Sequence, residues 1–209
     1  DAVLRRNFTA ILRSHVAPAA VRRVVDLGCS TGLSTAAVAA AYPDAEVVGV
    51  DLSPHMLAVA RYRAAERAPP RATYLHRRAE ATGLRGASVD LVTLSLVAHE
   101  LPAAALGAIV TEAARLLAPG GAFAVMDADP AAWAAVPPAV FVLFASTEPW
   151  VGEYARVDLE GVLTAAGLTV VGGGRIRRGT ARWLPSSHRR DGGRTRAVAR
   201  VAVDGGHSP

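Results

Sequence analysis

The chain of 209 residues, 51% of them hydrophobic, is long enough for one α/β domain with a buried core. No apolar run reaches the roughly 20 residues that a membrane-spanning helix needs, so we expect a soluble protein without a transmembrane segment. Cys29 is the single cysteine, which excludes a disulfide framework and a cysteine-based metal cluster. We expect no metal.

The positive charge is concentrated near the C-terminus. All 23 basic residues are arginine, and eight of them lie between residues 175 and 196 beside a single acid, Asp191. We call residues 172–196 the basic segment, and its glycines predict a loop. Three interpretations remain open: a solvated loop, a docking surface for an acidic protein or a membrane, and a nucleic-acid site. Trp183 is its only aromatic residue, which argues against stacking on single-stranded nucleic acid.

Strands and helices alternate along the chain. Predicted strands cover residues 24–28, 46–51, 72–76, 89–96, 122–127, 169–171 and 196–203, and predicted helices cover 33–42, 54–68, 102–117 and 157–168. The helix after Pro102 has the clearest period, with one apolar face made of Leu106, Ile109, Val110, Ala113, Leu116 and Leu117. This alternation predicts a single-domain, three-layer α/β sandwich around a mostly parallel sheet.

The single domain spans residues 1–209, and three segments stand apart from its regular alternation. Residues 1–20 contain a short amphipathic helix, residues 130–157 form a lid-like insertion, and residues 172–196 are the basic segment.

A ligand site is predicted where the first two strands end. Gly28 and Gly32 let the backbone turn sharply, and the helix after Gly32 directs its free N–H groups toward the same place. Asp51 ends the second strand, where an acid can accept hydrogen bonds from both hydroxyls of a ribose. The pattern therefore predicts a ligand with an adenosyl group.

The glycine spacing separates two cofactor classes. A dinucleotide fingerprint needs glycine at the positions of Ser30 and Leu33, and both are absent. The pattern D-x-G-x-G-x-G is met by Asp26, Gly28 and Gly32, with Ser30 as the one departure. Together with "VDLVTLSLVAHELP" and "LLAPGG", it resembles the class I S-adenosylmethionine-dependent methyltransferases over residues 20–130, and more loosely to 203.

The resemblance implies a Rossmann-like fold whose seven strands end in an antiparallel one, and it assigns cofactor contacts. Asp26, Gly28, Ser30 and Gly32 would hold the methionine part of S-adenosylmethionine, Asp51 the ribose, Leu52 and Met56 the adenine, and Ala79 and Glu80 the adenine amine, while Ser95 would lie near the cofactor. Arg78 stands where the family usually has an acid.

The resemblance also implies an acceptor side. His99 would lie close to the reaction centre, where it could remove a proton from a hydroxyl acceptor or merely cap the end of the fourth strand. In the lid-like insertion, Trp133, Phe144, Glu148, Trp150 and Tyr154 would contact the substrate, or the insertion would be a helix packed on the sheet edge.

The expected function is methyl transfer to a small, apolar or aromatic acceptor, with S-adenosylhomocysteine as the second product. "MDADP" and the segment after it resemble the UbiE-like branch and an uncharacterised group of cyanobacteria and plastids. That likeness implies a plastid stroma, with the cytoplasm as the alternative. A second hypothesis is a structural or assembly subunit with weak or no catalysis. "SLVA" follows the fourth strand instead of an N-P-P-Y-type tetrad, which argues against methylation of nucleic-acid bases.

Overall fold

The computed structural model describes residues 2–66, 72–130, 136–177, 180–185 and 197–203. Strands β1–β8 are Arg23–Leu27, Glu46–Asp51, Ala72–His76, Val89–Ser95, Leu117–Ala128, Thr169–Arg177, Thr180–Pro185 and Ala197–Val203. Helices α1–α7 are Ala2–His15, Leu33–Ala41, Pro54–Ala65, Ala103–Leu116, Pro138–Ala145, Val151–Tyr154 and Leu159–Ala165, with short 3-10 helices at Pro18–Ala20 and Ala98–Glu100. Every helix within these described ranges is too short or too polar to cross a bilayer.

The centre of the sheet consists of five parallel strands in the order β3-β2-β1-β4-β5. The chain moves outward in one direction from β1 to β3, and then starts again on the other side of β1 with β4. In an open parallel sheet this change of direction leaves a crevice beyond the carboxyl ends of the two central strands. The predicted α/β Rossmann-like fold is confirmed, and the crevice lies where the ligand site is expected.

The prediction of seven strands with an antiparallel last strand is wrong. The last strand, β8, runs parallel to both β5 and β6, and the antiparallel strand is β7, which pairs with β6. The missed strand lies in the basic segment, where we expected a loop because of Gly172, Gly173 and Gly174. In β6 these glycines pair with strands on both sides, so backbone hydrogen bonds compensate for the missing side chains. Residues 186–196 lie outside the described residues.

Strand β5 also begins earlier than predicted. Leu117 pairs with Val89, the register then shifts, and regular pairing resumes at Ala122. The segment "APGG", which lies between the predicted helix and the predicted strand, is therefore an irregularity within β5.

Two apolar layers cover the faces of the sheet. On one face, α4 and α7 pack against β1, β4 and β5, and all six apolar residues predicted for α4 are buried. On the other face, Phe8 and Leu12 of α1 and Val38 of α2 pack on β1. Because α1 lies over the start of α2, the N-terminal helix is close to the crevice.

A buried carboxylate joins the central strands to α2. Asp26, at the end of β1, accepts hydrogen bonds from the Thr35 hydroxyl at 2.6 Å and from the Thr93 hydroxyl at 2.7 Å. Burial raises the pKa of Asp26 to about 6, and the two hydroxyls and the charge of Arg5 oppose that rise only in part. The protonated form of Asp26 is therefore favoured by folding.

This shift predicts a pH-dependent stability. The contribution of Asp26 is fully present below the pKa of about 4 that an unfolded Asp has, and it is lost as pH rises through about 6. Asp26→Asn has no carboxyl to ionise at this position, so it should not lose this contribution as pH rises. Relative to the unmodified chain, its free energy of unfolding should therefore increase by about 3 kcal/mol between pH 4 and pH 7. Urea unfolding across this range measures the difference.

Asp44→Asn, at an exposed turn before β2, is the control for loss of one carboxylate. A difference for Asp26→Asn that stays constant from pH 4 to pH 7 would contradict the buried-carboxyl assignment.

Candidate functional site

The loop between β1 and α2 has an unusual backbone. Gly28, Ser30 and Gly32 all adopt left-handed conformations, with φ of 65°, 48° and 77°. Gly32 is also the N-cap of α2, so the first N–H groups of that helix open toward the loop. Ser30 adopts a conformation that normally favours glycine, which is the residue that the family pattern has at this position.

The two glycines are required by the packing of the protein itself. A Cβ atom at Gly28 would lie 2.7 Å from a methyl group of Val97, and one at Gly32 would lie 2.5 Å from the Tyr74 hydroxyl. On the sequence alone, these glycines are explained by a sharp turn of the backbone at a ligand site. The structure gives a second reason for glycine at both positions. Val97, in the segment after β4, and Tyr74 of β3 pack directly against this loop.

Asp51 joins the loops that follow β1 and β2. Its Oδ2 accepts a hydrogen bond from the Ser30 N–H at 2.7 Å, and its Oδ1 accepts one from the Ser53 N–H at 2.8 Å. A carboxylate has about four lone-pair positions, so each oxygen keeps one for a further donor. Asp51 therefore shapes the crevice and still presents acceptors to it.

A cavity of about 330 Å³ occupies the crevice. Its walls come from α1, the β1–α2 loop, the end of β2, the start of α3 and the segment after β4. Of the predicted cofactor residues, the structure brings Gly28, Ser30, Asp51, Met56 and Ser95 together in its lining. Asp26 lies beneath the loop with both oxygens hydrogen-bonded, and Gly32, Leu52, Ala79 and Glu80 are not in the lining.

One polar atom of the cavity wall has no partner within the described part of the chain. The Ser95 hydroxyl, at the end of β4, is buried and makes no hydrogen bond there. A buried hydroxyl without a partner costs about 1–3 kcal/mol, so this group fits a polar ligand in the cavity.

The far side of the crevice is formed after β2 and β3. Leu52 is 65% exposed, and the His76 ring is hydrogen-bonded to its carbonyl oxygen at 2.8 Å. Glu80 accepts a hydrogen bond from Arg78 at 2.8 Å, so the arginine that departs from the family pattern holds the neighbouring acid. A backbone hydrogen bond and the nearby Arg78 lower the pKa of Glu80, which keeps its carboxylate charged.

Arg5 is a cavity residue that sequence reasoning missed. It belongs to α1, and its Nε donates to the Ser34 hydroxyl in the first turn of α2 at 3.3 Å. The available signal was its position beside the buried face of the helix, three residues before Phe8. Arg5 adds a positive charge at the end of the cavity formed by the β1–α2 loop.

His99 is not in the lining of the cavity but lies next to Glu100, which is, in the 3-10 helix after β4. It is paired with a buried acid. Its Nδ1 is 2.6 Å from Oδ1 of Asp127, whose Oδ2 accepts a hydrogen bond from the Ala98 N–H at 2.7 Å. Sequence reasoning missed Asp127 as well, although a charged residue at the end of an apolar strand was a usable signal. Burial acts to lower the pKa of His99, but Asp127, Glu100 and Glu148 outweigh it, so the pKa is raised.

The lid-like insertion contributes α5 and α6. Tyr154 is buried, donates its hydroxyl to the Ala128 carbonyl at 2.8 Å, and lies edge-on to the His99 ring with centroids 6.4 Å apart. Tyr154 therefore contacts His99, and its predicted contact with the substrate stays a prediction. Trp150 is 41% exposed, Phe144 is half-buried, and Trp133 lies outside the described residues.

Comparison with known proteins identifies the family. A family model described as a methyltransferase domain matches residues 24–121. An uncharacterized methyltransferase of Synechocystis sp. is 37% identical over 153 residues, which cover 72% of this chain and 68% of that protein. The chain therefore belongs to the class I S-adenosylmethionine-dependent methyltransferases.

The chain is also similar to a second relative and to a solved structure. A trans-aconitate 2-methyltransferase of Methylobacterium radiotolerans is 41% identical over 125 residues, which cover 60% of this chain but 45% of that protein. The chain thus matches less than half the length of that relative. The structure of a putative methyltransferase from Bacillus halodurans has a TM-score of 0.58 at 24% identity, covering 76% of this chain and 68% of that one. That likeness supports the fold alone.

The conformation of Ser30 leads to a stability prediction. At φ of 48° a Cβ atom is unfavourable, so Ser30→Gly should be more stable than Ser30→Ala by about 1 kcal/mol. Both variants remove the hydroxyl, and the pair therefore isolates the effect of the backbone conformation. Thermal or urea unfolding of the two proteins measures the difference. Greater stability of Ser30→Ala would contradict the left-handed conformation.

Proposed function

We propose that this chain transfers the sulfonium methyl group of S-adenosylmethionine to a small acceptor, with S-adenosylhomocysteine as the second product. The observation that carries the proposal is the cavity beside β1 and β4, where Asp51 presents free acceptor positions and Ser95 presents a hydroxyl without a partner in the described structure. The family membership of the chain agrees with it.

The charges and donors around the cavity suggest how the cofactor would lie. Gly28, Ser30 and Arg5 line the end suited to the methionine carboxylate, because that end combines helix N–H groups with a guanidinium. Ser95 would complete the polar contacts on this side. We assign Asp26 and Gly32 to support of the loop, because the Asp26 oxygens are already hydrogen-bonded and Gly32 packs under Tyr74.

The remaining contacts would hold the adenosine. Asp51 has lone pairs available for the ribose hydroxyls, and the exposed side chains of Leu52 and Met56 could cover the faces of the adenine. Ala79 and Glu80 follow β3 on the same side of the sheet and would meet the adenine amine.

S-adenosylmethionine supplies an activated methyl group, so the main task of the protein is to orient the acceptor. Holding two reactants in line can contribute about 7–11 kcal/mol to catalysis. We assign His99 to the acceptor, because Asp127 fixes its Nδ1 and leaves Nε2 facing the side of Glu100 and Glu148.

We propose a small, apolar or aromatic acceptor. Phe144 and Trp150 in the lid and the exposed Val142 and Leu143 of α5 support this class. The relative named for trans-aconitate suggests a carboxylate acceptor, but Glu100 and Glu148 would repel a polyanion at this position. The acidic pair therefore favours a neutral or cationic acceptor.

Finer assignments remain proposals. The likeness of residues 126–168 to the UbiE-like branch supports placing the chain there, while a plastid or cytoplasmic location stays a prediction. A purely structural subunit is not favoured, because assembly requires neither the cavity nor its unpaired hydroxyl. An acidic protein partner for the basic segment also stays a prediction.

Asp51→Ala tests the cofactor site. Each hydrogen bond to a charged group is worth about 1.5–3 kcal/mol, so loss of two ribose contacts should weaken S-adenosylhomocysteine binding at least about 100-fold. Asp51→Asn keeps one oxygen acceptor and should bind with intermediate affinity. Isothermal titration measures all three proteins.

Asp44→Ala is the matched control, since it removes an exposed carboxylate at the opposite end of β2. Circular dichroism verifies that every variant is folded. Unchanged affinity in folded Asp51→Ala would refute the ribose assignment.

A further inference from the structure

Three side chains that can bind a metal ion converge beside the cofactor cavity. His99 and Glu100 belong to the 3-10 helix after β4, and Glu148 lies between α5 and α6. One ligand atom from each residue lies within 4.8 Å of the other two, and His99 Nε2 is 3.9 Å from Glu100 Oε1. The three side chains thus come from two parts of the chain, the segment after β4 and the lid-like insertion.

The histidine is oriented as metal-binding histidines are. A carboxylate only accepts hydrogen bonds, so the Asp127 contact places the proton of a neutral His99 ring on Nδ1. The Nε2 lone pair then points toward the two glutamates. A buried carboxylate on the remote ring nitrogen is a regular partner of metal-ligating histidines. Asp127 is 2% exposed and is not one of the three converging side chains. Its contact with His99 is therefore evidence for a metal site in addition to their convergence.

The cluster carries negative charge that the described residues do not balance with an arginine. No arginine within the described ranges lies within salt-bridge distance of Glu100 or Glu148. Ligand atoms of the Glu100 and Glu148 carboxylates lie within 4.8 Å of each other. A cation held between the carboxylates would relieve this repulsion.

We propose that His99 Nε2 and the carboxylates of Glu100 and Glu148 bind one divalent transition-metal ion, with Asp127 as the carboxylate that orients His99. One imidazole and two carboxylates suit Zn²⁺, Mn²⁺ or Fe²⁺, whereas Mg²⁺ and Ca²⁺ prefer oxygen ligands throughout. Three protein ligands leave coordination positions open, as in catalytic metal sites.

The role of this ion rests on the proposed methyl transfer. Glu100 also lines the cofactor cavity, so the ion would lie between the cofactor and the lid. There it can bind the oxygen of an acceptor hydroxyl and lower its pKa, with the proton passing to solvent water. A bound divalent cation would also neutralise the Glu100 and Glu148 carboxylates, which repel anions when the metal is absent. The acceptor class narrows accordingly to an aromatic compound with an ionisable hydroxyl, such as a phenol.

Titration with Co²⁺ tests the site, because its visible absorption reports ligation by nitrogen and oxygen without any need for turnover. The metal-free chain should show saturable absorption at one ion per chain. His99→Ala and Glu148→Gln should each weaken Co²⁺ binding at least tenfold, and Asp127→Asn should weaken it about 10–100-fold. Glu160→Gln, on an exposed position of α7, is the control and should bind like the unmodified chain.

Absence of saturable absorption, or absorption that neither His99→Ala nor Glu148→Gln alters, would overturn the metal proposal. S-adenosylhomocysteine binding, measured on the same samples, separates the two proposals. If the cofactor product binds and Co²⁺ does not, the metal site is refuted and the methyl-transfer proposal stands. If the folded chain binds Co²⁺ but not S-adenosylhomocysteine, the methyl-transfer proposal is refuted instead.

Discussion

The carboxylate of Asp51 connects the loop after β1 to the loop after β2. By accepting the N–H groups of Ser30 and Ser53, it fixes the left-handed loop after β1 against the start of α3. Both loops line the cavity at the carboxyl edge of β1 and β2. Gly28 and Gly32 allow the arrangement, since any side chain there would collide with Val97 or Tyr74.

The cavity and the proposed acceptor side are built from different parts of the chain. The cavity is lined by short loops that follow β1, β2 and β4, which the parallel sheet brings to one edge. The acceptor side combines the 3-10 helix after β4 with Asp127 from β5 and the lid residues Glu148 and Tyr154. Variation in the lid can therefore change the acceptor while the cofactor site is retained.

Local patterns predicted most of the fold and five of the residues that line the cavity. The apolar face of α4, the predicted start of a helix at Pro54 and the spacing from Gly28 to Asp51 are short-range signals, and the structure agrees with them. The misses depend on tertiary structure. Arg5 reaches the cavity because α1 packs over α2, and Asp127 meets His99 because β5 lies beside β4. Strand β7 was missed because the glycines of its partner β6 indicated a loop. Pairing of β6 with β7 and with β8 stabilises the strand, and this pairing is not visible in the local sequence.

A crystal structure of the chain with S-adenosylhomocysteine bound would test the assignment of the cavity. The ribose hydroxyls should lie within hydrogen-bond distance of Asp51, the adenine should lie between Leu52 and Met56, and Ser95 should have gained a partner. Binding outside the cavity, or a ribose that does not contact Asp51, would contradict the proposed cofactor site.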